Sequence, residues 1–373
     1  MKEAQVSEFL ASLPPKPTAV TAPGDFRVGV IGLDHGHIGG MCAGLCAAGA
    51  GIVSVYDRDR KKAEDFAAKY GADVAASADE ILEDPAIRMI ASAIVPWERG
   101  TLGIAAMRHG KDYFVDKTPF TQTEQIAEAR RVCRETGKRY FCYFSERLHT
   151  ESGILAGYLI ETGAIGRVLS VEGFGPHRIG DPSSRPDWFW KKCESGGILC
   201  DIGSHQIEQF LFYTGAKSAR VDHARIANYA HPEYPEFEDY GDASLTADNG
   251  AVNHYRVDWF TTPGLSNWGD GRTLIVGTKG HIELRKFVNL ASNGTAPNGE
   301  MVLWADADGE HSVCAKGLVG APFFGQMILD CLEGTERAMT QEHIFTAAEL
   351  CVACEAQAQV VAGNGILPLY HPI

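Results

Sequence analysis

Over its first 146 residues the chain alternates short apolar, β-branched runs with helical stretches, and this alternation constrains the fold more than any other feature. Strands are expected over 26–33 (FRVGVIGL), 52–56, 88–95 (RMIASAIV), 113–115 and 139–143, with helices over 38–48, 58–70, 98–109 and 121–137. A helix between consecutive strands is the crossover that parallel pairing requires. The succession therefore predicts a doubly wound parallel sheet with helices on its faces, an α/β unit of the dinucleotide-binding kind.

After about residue 146 the pattern changes. A helix is expected over 151–162, ending at Gly163. Strands follow over 168–175, 220–228, 243–247, 252–260, 273–276 and 281–285, with a helix over 205–213 among them and a closing helix over 346–362. Gly, Pro and Asn separate these strands, as in an α+β unit with an open, mostly antiparallel sheet. The expected division is an N-terminal extension over 1–24, a dinucleotide-binding domain over 25–146, and a substrate-binding and oligomerisation domain over 147–373. The extension reads as a short helix and then a loop set by Pro14, Pro15, Pro17 and Pro23.

Charge narrows the partners. The 34 Lys and Arg against 48 Asp and Glu leave a net charge of −14. Nucleic acid and anionic membrane surfaces need a basic footprint, so neither is expected as a partner. No apolar run reaches the ~18–20 residues of a spanning helix. The opening residues hold Glu3 and Glu8 and no apolar core of a secretion signal, so the expected compartment is the cytoplasm. The 10 Cys are scattered and read as reduced thiols; Cys351 and Cys354, three apart in a helical run, read as core packing.

The first strand runs into Gly32-Leu33-Asp34-His35-Gly36-His37-Ile38. A dinucleotide site needs a tight turn, a close backbone approach to the pyrophosphate and a helix N-terminus that supplies N–H groups. Gly32 supplies the turn, and Leu33, Asp34, His35, His37 and Ile38 complete the loop, although Asp34 and His37 replace two glycines of the usual fingerprint. Asp34 is expected to cap the helix. His35 and His37 show no third ligand in the sequence, so no metal is expected. Asp57, after the second strand, suits the ribose hydroxyls and repels a 2′-phosphate, which favours NAD; Arg58 beside it leaves room for NADP. Val95 and Pro96, at the end of the strand 88–95, are also placed at the cofactor.

Two later stretches carry chemistry: GKDYFVDKTP over 110–119 and GGILCDIGSHQIE over 196–208. Oxidising a secondary alcohol requires a base for the hydroxyl proton, and His205 suits that role. Asp201, four residues earlier, falls on the same face of a helix and can orient and charge-stabilise the imidazole. Lys117 brings a cation to the developing alkoxide. A sugar or polyol site also needs an apolar face beside polar groups, so His177, Arg178, Arg185 and Trp188 are substrate candidates together with Lys117, Asp201 and His205.

With the N-terminal pattern, these motifs resemble the Gfo/Idh/MocA oxidoreductases (glucose–fructose oxidoreductase, inositol dehydrogenase and the rhizopine catabolism protein) over about residues 26–362. Asp116-Lys117-Thr118 is similar to the family's Glu-Lys-Pro, with Pro119 one place late. Asp116 and Lys117 are thereby placed at the cofactor, and Glu146-Arg147-Leu148 stands where members often carry Asn-Arg-Arg, which implies that Glu146 approaches the nicotinamide or its ribose. The resemblance implies an NAD-dependent dehydrogenase or reductase of a sugar, inositol or cyclic polyol. An open sheet on which Val252, Tyr255 and Trp259 are expected to be exposed invites face-to-face pairing into a homo-dimer or homo-tetramer, and the resemblance implies the same. Two other activities stay open: a glycoside hydrolase or lyase that uses tightly bound NAD for transient sugar oxidation, and a non-catalytic NAD-binding sensor.

Overall fold

The computed structural model describes residues 3–292 and 299–361. Phe26–Ile31 (β1) is buried except at Arg27, as a central strand covered on both faces must be. It is followed by Ala50–Tyr56 (β2), Asp73–Val74 (β3), Met89–Ser92 (β4), Asp112–Asp116 (β5) and Tyr140–Tyr143 (β6). The sheet order is β3-β2-β1-β4-β5-β6, parallel throughout. The connecting helices have local causes. Asp59 accepts the Lys61 and Lys62 amides at the start of Arg60–Ala68, Pro96 opens Pro96–Arg108, and left-handed Gly137 ends Thr123–Thr136.

The second sheet contains Val168–Pro176 (β7), Ala219–Ala227 (β8), Tyr240–Ala247 (β9), Val252–Asp258 (β10), Arg272–Gly277 (β11), His281–Arg285 (β12), Met301–Asp306 (β13), Gly309–Cys314 (β14) and Gln359–Val360 (β15). Its order is β14-β13-β12-β11-β7-β10-β9-β8-β15. Only the pairs β7·β10 and β8·β15 are parallel among those described. Helix Gly203–Thr214 packs on this sheet because Gly173 leaves room for Gln206, whose Oε1 would lie 2.3 Å from a Cβ placed there.

Where the sequence suggests a boundary at 146/147, the contacts interleave the chain. One compact unit is 9–154 with 316–349; the other contains 3–8, 155–292, 299–315 and 350–361. Residues 316–349 join the parallel-sheet unit through specific bonds. The Glu151 carboxylate accepts the Gly317, Val319 and Gly320 amides at 2.6–2.8 Å. Arg130 pairs with Glu342 and Glu349, and the Phe324 ring occupies the space a side chain at Gly44 would need.

The sequence reading misses β13, β14 and helix Phe323–Glu333. It also extends the last helix too far: Gln341–Gln357 is helical, and β15 follows. The expected helix end at Ala362 lies outside the described residues. Tyr255 and Trp259 are not exposed as expected. They are buried at 0% and 8%, while Val252 is exposed at 46%. The reason is parity: neighbours along a strand face opposite sides, and an odd separation puts Tyr255 on the covered face.

Candidate functional site

In the parallel-sheet unit, β1 ends in a turn that only glycine makes without strain. Gly32 has φ +85°, and a Cβ there would lie 2.7 Å from Ile94 Cβ. The turn is fixed by Asp57, whose Oδ2 accepts the Leu33 amide at 2.7 Å and whose Oδ1 accepts the Asp59 amide at 2.8 Å. Helix His37–Ala47 then starts at Gly36 with no side-chain cap. This corrects the expected role of Asp34: its carboxylate accepts the Val95 amide at 3.3 Å. Burial, then the charge of Asp57, pushes its pKa up. A Cβ at Gly36 or Gly39 would meet nothing within 4 Å, so the helix N-terminus faces open space. Beside it lies a cleft of about 480 Å³ lined by Gly32, Asp34, Asp57, Arg58, Trp97 and Glu98, among others. A glycine turn, an uncapped helix N-terminus and an acidic residue after β2 fit a dinucleotide.

At the end of β5, Asp116 is fully buried. His35 Nδ1 lies 2.8 Å from its Oδ2 and His37 Nδ1 2.8 Å from its Oδ1. Thus the histidines that lacked a carboxylate partner in the sequence share one in space. Arg99 is 1% exposed and closes the cluster. Its Nη2 stands 3.4 Å from Asp116 Oδ2, and its Nη1 donates to the carbonyls of Asp116, Lys117 and Thr118. Burial opposes ionisation of Asp116, but His37, His35 and Arg99 outweigh it and hold the carboxyl well below its usual range. Burial, then His37, lowers the His35 pKa to about 4. His35, His37 and Asp116 have the donor types and closeness of a metal site, and Arg99 stands against the same carboxylate.

Lys117 is 4% exposed, and its amide donates to Asp116 Oδ1 at 2.8 Å. The Lys117–Thr118 peptide is cis. Glu146 and Arg147 are buried in the short helix Ser145–Leu148 directly after β6. The sequence assigns Glu98 and Arg99 no role at the site. Arg58 lies 40 positions before Glu98, and the Asp116 carboxylate lies 17 positions after Arg99 on another element, so helical spacing offers no signal for either pair.

In the second unit, Gly196 and Gly197 take φ +88° and +84°, and the chain turns into Ile198–Asp201 and then Gly203–Thr214. Asp201 and His205 stand on either side of Ile202, which is itself helical at φ −80°, ψ −37°. His205 is 1% exposed. Two distant carboxylates take the first amides of this segment: Glu238 from Ile198 at 2.9 Å and Glu355 from Leu199 at 3.1 Å. Lys192 Nζ lies 2.6 Å from each carboxylate.

The substrate candidates separate. The Arg185 guanidinium sits over the rings of Phe189 and Trp259 at 4.7 and 5.2 Å. Burial lowers its pKa, and Asp201 opposes that shift. His177 lies between Trp259 and Trp268, with ring centroids at 5.5 and 4.4 Å. Trp188 is half-buried, edge-on to Phe189 at 6.2 Å. Arg178 holds a loop in place, since its Nη2 donates to the carbonyls of Thr262, Leu265 and Asn267.

The parallel sheet and the glycine turn define a domain of the dinucleotide-binding class. Residues 26–144 match the model of the oxidoreductase family with an NAD-binding Rossmann fold, and residues 155–283 match the GFO/IDH/MocA C-terminal domain. The chain belongs to the GFO/IDH/MocA family. Over 241 residues it is 29% identical to the NAD⁺-dependent scyllo-inositol 2-dehydrogenase of Bacillus subtilis, covering 63% of this chain and 66% of that protein. Over 142 residues it is 31% identical to the levoglucosan dehydrogenase of Pseudarthrobacter phenanthrenivorans, covering 37% and 36%. The matches thus span two thirds or less of these relatives. A crystal structure described as an oxidoreductase from Erwinia carotovora atroseptica is 44% identical, with a TM-score of 0.87, over 90% of this chain and 100% of that one.

Proposed function

We propose that the protein is an NAD-dependent dehydrogenase or reductase acting on a secondary alcohol or ketone of a sugar, inositol or related cyclic polyol. The observation that carries this reading is the cradle at the end of β1: the Gly32 turn, the open N-terminus of His37–Ala47, and Asp57 beside the cleft. Relatives named for dehydrogenation of an inositol and an anhydrosugar support the substrate class.

When bound, NAD supplies the hydride acceptor. In this reading His205 takes the hydroxyl proton, Asp201 orients the imidazole, and Lys117 stabilises negative charge on the substrate oxygen. Arg185, His177 and Trp188 contact the substrate; Arg178 acts on it only through the loop it holds. Seven of the 10 scattered cysteines are buried, as core thiols are, which supports a reducing compartment such as the cytoplasm. Phe174, Val252 and Leu274, each 36–46% exposed on the second sheet, support pairing into a homo-dimer or homo-tetramer.

The test is a panel of inositols, aldoses and anhydrosugars with NAD⁺, followed by NADH absorbance. At least one polyol should give NADH in proportion to product. Turnover of a glycoside without net NADH, or silence across the panel from protein that binds NAD, would reject the dehydrogenase reading.

A further inference from the structure

The cleft at the ends of β1 and β2 has an uneven lining. Asp34, Asp57, Asp79 and Glu98 bring carboxylates to it, and Arg58 is the one basic residue among those that line it. Arg58 occupies the place, next to the acidic residue after β2, from which an arginine commonly accommodates the 2′-phosphate of NADP. Here it is already engaged. Its Nη2 lies 2.7 Å from Oε2 of Glu98, which projects from the first turn of helix Pro96–Arg108. Glu98 is 18% exposed and Arg58 67%, so the carboxylate is the anchored partner and the guanidinium is drawn to it. A carboxylate in the first turn of a helix is itself favoured by the helix N-terminus.

Asp57 cannot relieve the excess of negative charge by moving. Each of its carboxylate oxygens is held by a backbone amide. A 2′-phosphate, with close to two negative charges, would enter a cleft whose lining carries Asp57 and Asp79 while the one basic lining residue is paired with Glu98.

We propose that Glu98 is a specificity-determining residue: by holding Arg58 it withholds the cation of the cleft from a 2′-phosphate and makes the protein select NAD over NADP. The inference rests on the reading of this cleft as the adenosine site. It adds a repulsive component to the preference already expected from Asp57, and discrimination of this kind arises as much from what the wrong ligand loses as from what the right one gains. Glu98 acts here through Arg58 rather than on the nicotinamide.

The experiment is equilibrium titration of NADH and NADPH, followed by nicotinamide fluorescence, into wild type, Glu98→Gln, Arg58→Ala and the double variant. Glu98→Gln keeps the side-chain shape and removes the charge. It should tighten NADPH up to roughly fivefold, the most that releasing a cation from an exposed ion pair supplies, and leave NADH within about twofold, because NADH has no 2′-phosphate to meet the freed guanidinium. Adding Arg58→Ala should abolish the gain. Arg58→Ala alone should leave NADPH binding nearly unchanged, since the guanidinium is already withheld. Unchanged NADPH affinity in Glu98→Gln, a gain that survives in the double variant, or a marked loss in Arg58→Ala alone would each overturn the inference while NADH still binds. Wild-type protein that binds neither cofactor would overturn the reading of the cleft itself.

Discussion

His37 Nδ1 lies 2.8 Å from Asp116 Oδ1, tying the first residue of the helix after the glycine turn to the last residue of β5. The same carboxylate meets His35 and Arg99, and Lys117 follows directly in the chain. The loop that would seat the pyrophosphate and the strand that carries the candidate catalytic lysine are thus held by one buried group.

Asp116→Asn should therefore destabilise the fold by about 3 kcal/mol, because it leaves the buried Arg99 without its countercharge. Urea unfolding measures this directly. A loss below about 1 kcal/mol would mean that the cluster is not held by charge.

The lowered pKa of His35 makes stability depend on acid. The free imidazole titrates near 6.5 and the folded one at about 4. Between these values the unfolded chain binds a proton that the folded chain refuses. The His35 contribution is complete above pH 6.5 and is lost as the pH falls towards 4, with a slope of up to about 1.4 kcal/mol per pH unit. Thermal melts across this range should fall less steeply in His35→Gln than in wild type; parallel curves would contradict the assignment.

Gly32→Ala should cost about 3 kcal/mol and abolish measurable NADH binding, because alanine meets both a strained φ and the Ile94 side chain. Calorimetric titration at a temperature where the variant is still folded separates the two effects. Wild-type affinity in that variant would remove the turn from the cofactor site.

Lys117→Ala and His205→Ala should each lower turnover roughly a hundredfold or more, the scale of a positioned acid or base. NADH affinity should change far less. Asp201→Asn should shift the pH dependence of turnover, since it removes the charge that tunes the imidazole. Near wild-type turnover in folded His205→Ala would mean that the proton leaves by another route.

Light scattering at micromolar concentration should give a mass of two or four chains. A stable species at the chain mass of 40.4 kDa would exclude the proposed pairing.

The sequence by itself determined what local chemistry controls. The period of apolar runs fixed the strand–helix alternation of the first unit, the bend at Gly32 follows from φ freedom, and Asp57 is recognisable from its place after β2. The motif over 196–208 placed Asp201 and His205 in one helical segment. Tertiary structure alone decided which distant groups meet. Asp116 is shared by two histidines 79 and 81 positions earlier, Glu98 reaches back to Arg58, and Glu238 and Glu355 take the amides ahead of Asp201. It also turned Asp34 towards the Val95 amide, fastened Arg178 to a loop, and buried Tyr255 and Trp259. The reason is common to all of these: periodicity and turn chemistry act over a few residues, whereas a buried charge is satisfied by whatever partner the packed fold brings within hydrogen-bond distance.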